Sequence, residues 1–163
     1  MKKLILFLTG LLFLTTISFG VYKKLSSSRY QALLIFDFNS NTRSFGVEDF
    51  KNLDLNFPNI TVTALPIKYL KARYYLELDS VETAKKLIHE SIKSNPYIYA
   101  PEILLAQIYL SENKLDSALY YSKRAFNGIT NNNRHRDTYF DVLKELNDSV
   151  SLDSAFVKIR NIK

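Results

Sequence analysis

The side chains with the strongest potential for chemistry in this 163-residue chain are its two histidines, and neither has suitable neighbours. We predict that His89 lies in a helix beside Glu90 and that His135 lies in a polar, basic loop between Arg134 and Arg136. Neither has a second histidine at metal-ligand spacing, and the chain contains no cysteine. We therefore predict no metal site and no cofactor site.

A hydrolytic site has equally little support. Such a site needs a nucleophile, a base and an orienting group that the fold brings together. Serines and aspartates are plentiful, but no set of them is singled out by spacing. The chain has only four glycines and lacks a glycine-rich phosphate loop. We expect that the protein is not an enzyme.

One short motif, Asp-Ser followed by a small residue, occurs four times, beginning at Asp79, Asp116, Asp148 and Asp153. It resembles the acceptor sequence of general protein O-glycosylation in some Gram-negative bacteria, which would imply export. The simpler interpretation is that aspartate and serine at the start of a helix cap free amides and suit the helix dipole. We favour capping.

The sequence that surrounds these residues repeats along the chain at a fixed interval. Two segments superimpose on each other at a 34-residue offset. The matched pairs are Leu70 with Leu104, Ala72 with Ala106, Tyr75 with Tyr109, Leu76 with Leu110, Ala84 with Ala118, and Ser91 with Ala125. A fixed period of this length, with apolar residues at helical spacing, predicts stacked helix-turn-helix units that bury their faces only against their neighbours.

At these positions the chain resembles the tetratricopeptide repeat family, in which small residues stand at the eighth and twentieth places of a 34-residue unit. Ala72 and Ala106 take the eighth place, and Ala84 and Ala118 take the twentieth. Alanine at a helix crossing lets the two axes approach closely. The chain departs from the family at the fourth place, where Glu102 replaces a large aromatic residue. The resemblance implies an all-α solenoid of antiparallel helix pairs that binds other molecules.

The pattern appears a third time if residues 131–133 are treated as an insertion. Tyr139 then takes the fourth place, Leu143 the eighth and Ala155 the twentieth. We therefore predict a repeat domain at 63–163, with repeats at about 65–98 and 99–132 and a degenerate one at 136–163. Thr63 is the predicted cap of its first helix, and Gly128 the predicted glycine stop of its fourth.

The N-terminus carries a second strong signal. Residues 4–22 form an uncharged, mostly apolar run of 19, flanked by lysines on both sides. At about 1.5 Å per residue, this run nearly spans a hydrocarbon core of about 30 Å. A cleaved signal peptide is the alternative, because Ser18 and Gly20 offer a small-x-small cleavage pattern. We favour an uncleaved single-pass anchor at 1–24, since Tyr22 and the lysines after it are typical of a membrane interface.

Charge and orientation follow from this anchor. The chain has 22 Lys and Arg against 16 Asp and Glu, but four of the lysines flank the apolar run. The remaining 18 against 16 gives no indication of nucleic-acid binding. The positive charges on the two sides of the run nearly balance, so the positive-inside rule hardly favours one membrane orientation over the other. A short N-terminal stub followed by a large domain favours an extracytoplasmic, periplasmic domain, with a secreted or periplasmic protein as the alternative after signal cleavage.

Residues 25–62 have no repeat pattern. We predict a helix in the run RYQALLIF and a short helix at 47–53. The apolar residues Leu33, Leu34, Phe36, Phe38 and Phe45 need cover, so we expect this linker segment to pack on the first repeat as a cap.

In the tetratricopeptide repeat family, the concave face is lined by the first helix of each pair. Carried onto this sequence, the fifth and ninth places predict a partner-binding face of Tyr69, Arg73, Ile103, Gln107, Phe140 and Lys144. That mixture suits a protein or peptide segment with apolar anchors and one or two acidic groups. The lysine and asparagine clamp that some relatives use for a terminal carboxylate is missing.

We therefore expect a membrane-anchored scaffold for protein–protein interaction in the cell envelope. One alternative is an accessory factor in surface polysaccharide assembly, because the runs FPNITVTALPIKYLKARYYL and NPYIYAPEILLAQIYL resemble the repeat-bearing tail of O-antigen ligase or polymerase-like membrane proteins. Another is a soluble exported binding protein, cleaved after Gly20. A short solenoid leaves its two ends exposed, so a homo-oligomer that covers these ends is a further alternative.

Overall fold

The computed structural model describes residues 2–40, 42, 44–46, 49, 60–61 and 63–161. These residues form seven helices and no strand, so the all-α prediction is confirmed for them. The helices are α1 (Lys2–Asn39), α2 (Ile67–Glu77), α3 (Val81–Ser94), α4 (Ala100–Ser111), α5 (Leu115–Gly128), α6 (Asn133–Glu145) and α7 (Ser149–Arg160). An isolated bridge joins Ile60 and Pro66 just before α2.

One predicted helix boundary is wrong, and a second is right for a reason other than the predicted one. Thr63 does not cap α2, which begins at Ile67 after an extended Pro66. The proline ring has no amide hydrogen and disfavours helical backbone at the residue before it, so the helix starts only after the ring. Gly128 is not a left-handed stop but the last residue of α5. A Cβ there would overlap the ring of Tyr99, so the close approach of this ring explains the glycine.

The first helix, α1, is a single unbroken rod of 38 residues, about 57 Å long at the usual helical rise. It is long and apolar enough to cross a membrane, with a mean hydropathy of 2.3 in its most apolar window. Its position near the N-terminus fits a signal sequence as well. Its second half continues beyond the apolar run, and there Ser27, Gln31, Leu34 and Asp37 are buried.

The end of α1 packs against α2. Leu34 is fully buried in a cluster that includes Ile67 and Leu70, and Phe38 and Phe45 pack at its edge. Leu33 and Phe36 were also expected to be covered, but they are 45% and 69% exposed because they lie on another side of α1. The short helix predicted at 47–53 lies outside the described residues, apart from Asp49.

The remaining helices form three consecutive pairs, α2 with α3, α4 with α5 and α6 with α7, and neighbouring pairs contact each other. Each pair is joined by a turn with one left-handed residue, Asp79, Asn113 or Asn147, with φ between 54° and 56°. These three positions recur at the period that the sequence predicts. The backbone hydrogen bonds of the turn recur with the same spacing, from Ser80 N to Tyr75 O, Lys114 N to Tyr109 O and Asp148 N to Leu143 O, at 2.8 to 3.0 Å.

The third pair therefore follows the second without the three-residue insertion that we predicted at 131–133. The loop between α5 and α6 is one residue shorter than the loop between α3 and α4, rather than three residues longer.

Small side chains fill the crossings of the first two pairs: Ala72, Ala84, Ala106 and Ala118 are fully buried. Side chains of this size let the helix axes approach closely.

Candidate functional site

A cavity of about 430 Å³ opens between the end of α1, the loop before α2, α2 itself and the start of α4. Its apolar lining consists of Ile35, Phe38, Leu65, Tyr69, Leu70 and Ala100. Its polar lining consists of Asn39, Thr61, Thr63 and Arg73. Apolar side chains therefore make up most of its lining.

Helical spacing explains how α2 contributes to this cavity. Tyr69, Leu70 and Arg73 are one and three residues apart, so they share one face of the helix. Tyr69 is only 4% exposed and forms a wall with its ring. The Arg73 guanidinium carbon lies 3.9 Å from the centroid of the Phe38 ring, in a cation–π contact between α2 and α1. The result is an apolar well with a cation at its edge.

A buried hydrogen-bond cluster fixes the end of α1 on α2 beside this cavity. The Asp37 carboxylate accepts hydrogen bonds from the Tyr74 hydroxyl, the Thr42 hydroxyl and, at 2.8 Å, the Ser44 backbone amide. Tyr74 is 2% exposed, and its ring also meets Phe38 edge to face at 6.0 Å. We call Asp37, Thr42, Ser44 and Tyr74 the Asp37 clamp. It determines where Phe38 lies, and therefore the shape of the cavity.

Of the six predicted contact residues, only Tyr69 and Arg73 lie in the cavity. On α4, Ile103 is 1% exposed and belongs to the packed interior. Gln107 is exposed and bridges to α6, donating to the Thr138 hydroxyl at 3.3 Å and accepting from Arg134 at 3.0 Å. A partner on this face would meet Gln107 but not the buried side chain of Ile103.

The last two predicted residues lie on α6. Phe140 is 8% exposed and packs between Phe126 and Phe156. Lys144 is exposed and pairs with Asp141, with 3.3 Å between Nζ and Oδ1. In the observed 34-residue register, Asp137 and Asp141 are the residues that correspond to Ile103 and Gln107. Phe140 and Lys144 were chosen with the three-residue insertion, which displaces them to other sides of the helix.

The repeat pattern of the sequence did not predict that α1 and the loop before α2 contribute to the cavity. Ile35 and Phe38 are three residues apart and flank Asp37, a charged residue in an otherwise apolar run. A buried charge needs partners, and that mismatch was the available signal for a packed junction here. Thr61 and Thr63 gave no signal, although their hydroxyl oxygens lie 2.9 Å apart in the structure.

The histidines do not form a reactive site in the described residues. His89 lies in α3 as predicted, with its ring 6.0 Å from that of Tyr121. His135 is not in a loop but in the first turn of α6, where it is 4% exposed and its Nδ1 lies 3.2 Å from the Ala125 carbonyl oxygen. Burial lowers its pKa. Within the residues that the structure describes, no group of three His, Cys, Asp or Glu residues could hold a metal.

The Asp-Ser motifs have mixed roles. Asp148 is the cap of α7, since its carboxylate accepts from the Ser151 amide at 3.0 Å, as the capping interpretation predicts. Asp79 is instead the left-handed turn residue, and no side-chain hydrogen bond caps α3 or α5.

One buried carboxylate lies away from the cavity. The Glu102 side chain, in the first turn of α4, is fully buried, and neither oxygen has a hydrogen-bond partner. The nearest cation is Arg124 on α5, whose Nε lies 3.4 Å from Oε1. Burial raises the pKa of Glu102 above its ordinary value of 4.5. This residue stands where the sequence departs from the usual aromatic of the tetratricopeptide pattern, and it places a carboxylate without hydrogen-bond partners in the core.

No protein-family model matches the chain, and a comparison with curated proteins finds no match either.

Proposed function

We propose that this chain is a membrane-anchored helical repeat protein of the tetratricopeptide type that docks a segment of a partner protein and performs no catalysis. The 34-residue recurrence of the left-handed turn residues, from Asp79 to Asn113 to Asn147, supports the repeat assignment. Equivalent turns at a fixed period are what a stack of similar helix pairs requires.

The anchor in this proposal is the first half of α1. Its apolar side chains are exposed along 4–22, and lysines flank the run on both sides. Exposed leucine and phenylalanine on every side of a helix are stable in lipid and costly in water. Because the helix continues without a break to Asn39, an anchored α1 would carry the repeat domain on a rigid stem. We place that domain on the extracytoplasmic side.

The observation that carries the docking proposal is the cavity beside Arg73. Its volume of about 430 Å³ falls within the usual range for ligand pockets, about 300 to 1,000 Å³. The apolar lining fits one large apolar side chain, and the guanidinium at the edge fits a neighbouring carboxylate. We therefore propose that the partner presents an apolar residue followed or preceded by an acidic one.

The test is recovery of the partner from native membranes with tagged full-length protein in mild detergent, followed by mass spectrometry. Ala100→Phe fills the cavity and Arg73→Ala removes its cation, so each variant is expected to lower partner recovery at least tenfold. Gln107→Ala/Lys144→Ala is the matched control, because both residues are exposed and lie outside the cavity. It should retain the partner.

Helical circular dichroism and the unfolding midpoint must be unchanged in any variant that is compared. Equal recovery of the same partners by wild type, Ala100→Phe and Arg73→Ala would contradict the cavity as the docking site. The identity of a recovered partner also decides between a general envelope scaffold and a role in surface polysaccharide assembly.

A further inference from the structure

A polar pocket of about 210 Å³ lies between α5, α6 and α7. Lys123 and Asn127 line it from α5, Tyr139 lines it from α6, and Ala155 and Lys158 line it from α7. None of its lining residues belongs to the cavity that we propose for docking. A ligand of this polar pocket is therefore independent of the proposed function.

The 34-residue register explains why the polar pocket is open. One repeat earlier, Tyr121 of α5 and His89 of α3 occupy the equivalent positions, and their ring centroids lie 6.0 Å apart. In the last interface, Ala155 stands in place of that tyrosine and Lys123 in place of that histidine. A methyl group cannot fill the space of a phenol ring, so a gap remains between α5 and α7. The pocket is therefore a feature of the last pair rather than of every pair.

Tyr139 brings a hydroxyl without a partner to this pocket. The residue is 5% exposed, and its ring stacks on Phe126 with centroids 4.9 Å apart. Within the described residues its hydroxyl makes no hydrogen bond, whereas the equivalent residue one repeat earlier is the fully buried Leu105. Burial raises the pKa of Tyr139, so the hydroxyl keeps its proton at neutral pH and acts as a donor. A buried tyrosine usually has a hydrogen-bond partner, and here the described chain supplies none.

The other polar groups of the pocket are also donors with free capacity. The Lys158 ammonium donates to Asn127 Oδ1 at 2.7 Å, which leaves two of its hydrogens and the Asn127 amino group for a ligand. Within the described residues, neither Lys123 nor Lys158 forms an ion pair. Asp148 attracts Lys123, but its carboxylate is engaged by the Ser151 amide at the start of α7. The described lining itself contains no carboxylate.

We propose that the polar pocket binds a small oxyanion of the phosphate type, either free phosphate or the phosphate group of a small monoester. A phosphate group carries a charge of about −1.5 to −2 at pH 7 and several acceptor oxygens, which match two ammonium groups, an amide and a phenol. A carboxylate has one charge and two oxygens, so it would leave donors unused. The volume of about 210 Å³ is smaller than that of a pocket for a drug-sized ligand, about 300 to 1,000 Å³.

Isothermal titration calorimetry of the full-length protein in a nonionic detergent tests this site. Inorganic phosphate, glycerol 3-phosphate and acetate are titrated separately at the same ionic strength, because salt screens exposed charges. At least one of the two phosphate compounds should bind roughly tenfold more tightly than acetate. The tighter of the two shows whether the ligand is free phosphate or a phosphate ester.

Three variants assign the binding to the pocket. Lys123→Met/Lys158→Met should weaken phosphate binding roughly tenfold or more, because it removes both charges. Lys86→Met/Lys93→Met is the matched control, since it removes two exposed lysines of α3 outside the pocket, and it should stay within about twofold of wild type. Tyr139→Phe should weaken binding roughly threefold or more, with the unfolding midpoint in the absence of phosphate unchanged.

Ala155→Tyr places a ring in the gap, as Tyr121 does one repeat earlier, and should abolish phosphate binding. Should that variant fail to fold, Tyr139→Phe decides, since it removes a single oxygen atom. Acetate binding as tight as phosphate binding, or no saturable phosphate binding by wild type, would overturn the site. Equal phosphate binding by wild type, Tyr139→Phe and Lys123→Met/Lys158→Met would overturn it as well.

Discussion

Replacing Asp37 with alanine is expected to lower the free energy of unfolding by about 3 kcal/mol, since the change removes hydrogen bonds to a charged group, among them the short hydrogen bond from the buried Tyr74 hydroxyl. The change should weaken the junction between α1 and α2 as well as the stability of the whole fold. The Asp37 clamp joins α1 to α2 through Tyr74 and to the following turn through Thr42 and Ser44. Without it, the end of α1 should separate from α2 more often, and Phe38 should no longer shape the cavity.

Denaturant unfolding in detergent micelles measures the global effect, and amide hydrogen exchange in α2 measures the local one. Tyr74→Phe removes one hydrogen bond of the clamp and should cost about 1 to 2 kcal/mol. Tyr139→Phe is the matched control, because Tyr139 is similarly buried but its hydroxyl donates no hydrogen bond within the described residues. If Asp37→Ala changed the stability by less than about 0.5 kcal/mol, the usual range for a surface substitution, and left exchange in α2 unchanged, the clamp would not hold the junction.

Replacing Glu102 with methionine is expected to raise the free energy of unfolding at pH 7 by about 2 kcal/mol, because an apolar side chain of similar length replaces a buried carboxylate whose oxygens accept no hydrogen bond. The change also removes the partner of Arg124, but that side chain is 39% exposed, so its charge stays solvated. The loss of an acidic group from the first turn of α4 offsets a part of this gain. Glu145→Met on α6 is the control, since Glu145 is exposed and its change should stay within about 0.5 kcal/mol.

The same carboxylate predicts a pH dependence. Burial raises the pKa of Glu102 in the folded chain above the ordinary 4.5. The folded chain therefore binds the proton more tightly than the unfolded chain, so this residue's contribution is most favourable below pH 4.5 and is lost as the pH rises through the raised pKa. The stability difference between Glu102→Met and wild type should accordingly shrink as the pH is lowered. A difference that stays constant between pH 4 and pH 8 would contradict this assignment.

The helix pairs could be predicted because their signal is local and repeated. Alanines one repeat apart mark crossings, and residues such as Asn113 mark turns, since asparagine tolerates left-handed backbone better than most residues. The register of the third pair could not be chosen in the same way. Leu143 and Ala155 lie on buried sides of their helices, so they also matched the family pattern with a false insertion. The left-handed turn at Asn147 fixes the register of the third pair. Apolar periodicity alone does not predict this turn.

The sequence singled out two of the residues that line the cavity, as part of a partner-binding face, but did not predict the cavity itself. Tyr69 and Arg73 followed from their places in the first pair, whereas Ile35 and Phe38 come from a helix more than thirty residues earlier that has no period to align. The position of a residue within a repeat predicts the side of the helix on which it lies, but it does not predict how far neighbouring helices bury that residue. Ile103 is buried for that reason, although Gln107, one turn later, is exposed.

The measurement that tests the account most directly is alkaline extraction of native membranes, followed by intact-mass analysis of the chain in each fraction. A membrane-anchored repeat protein should remain in the membrane pellet as one species that retains residues 4–22. A species that begins at Val21 and is found in the soluble fraction would contradict the anchor and assign the chain to the exported, soluble binding proteins.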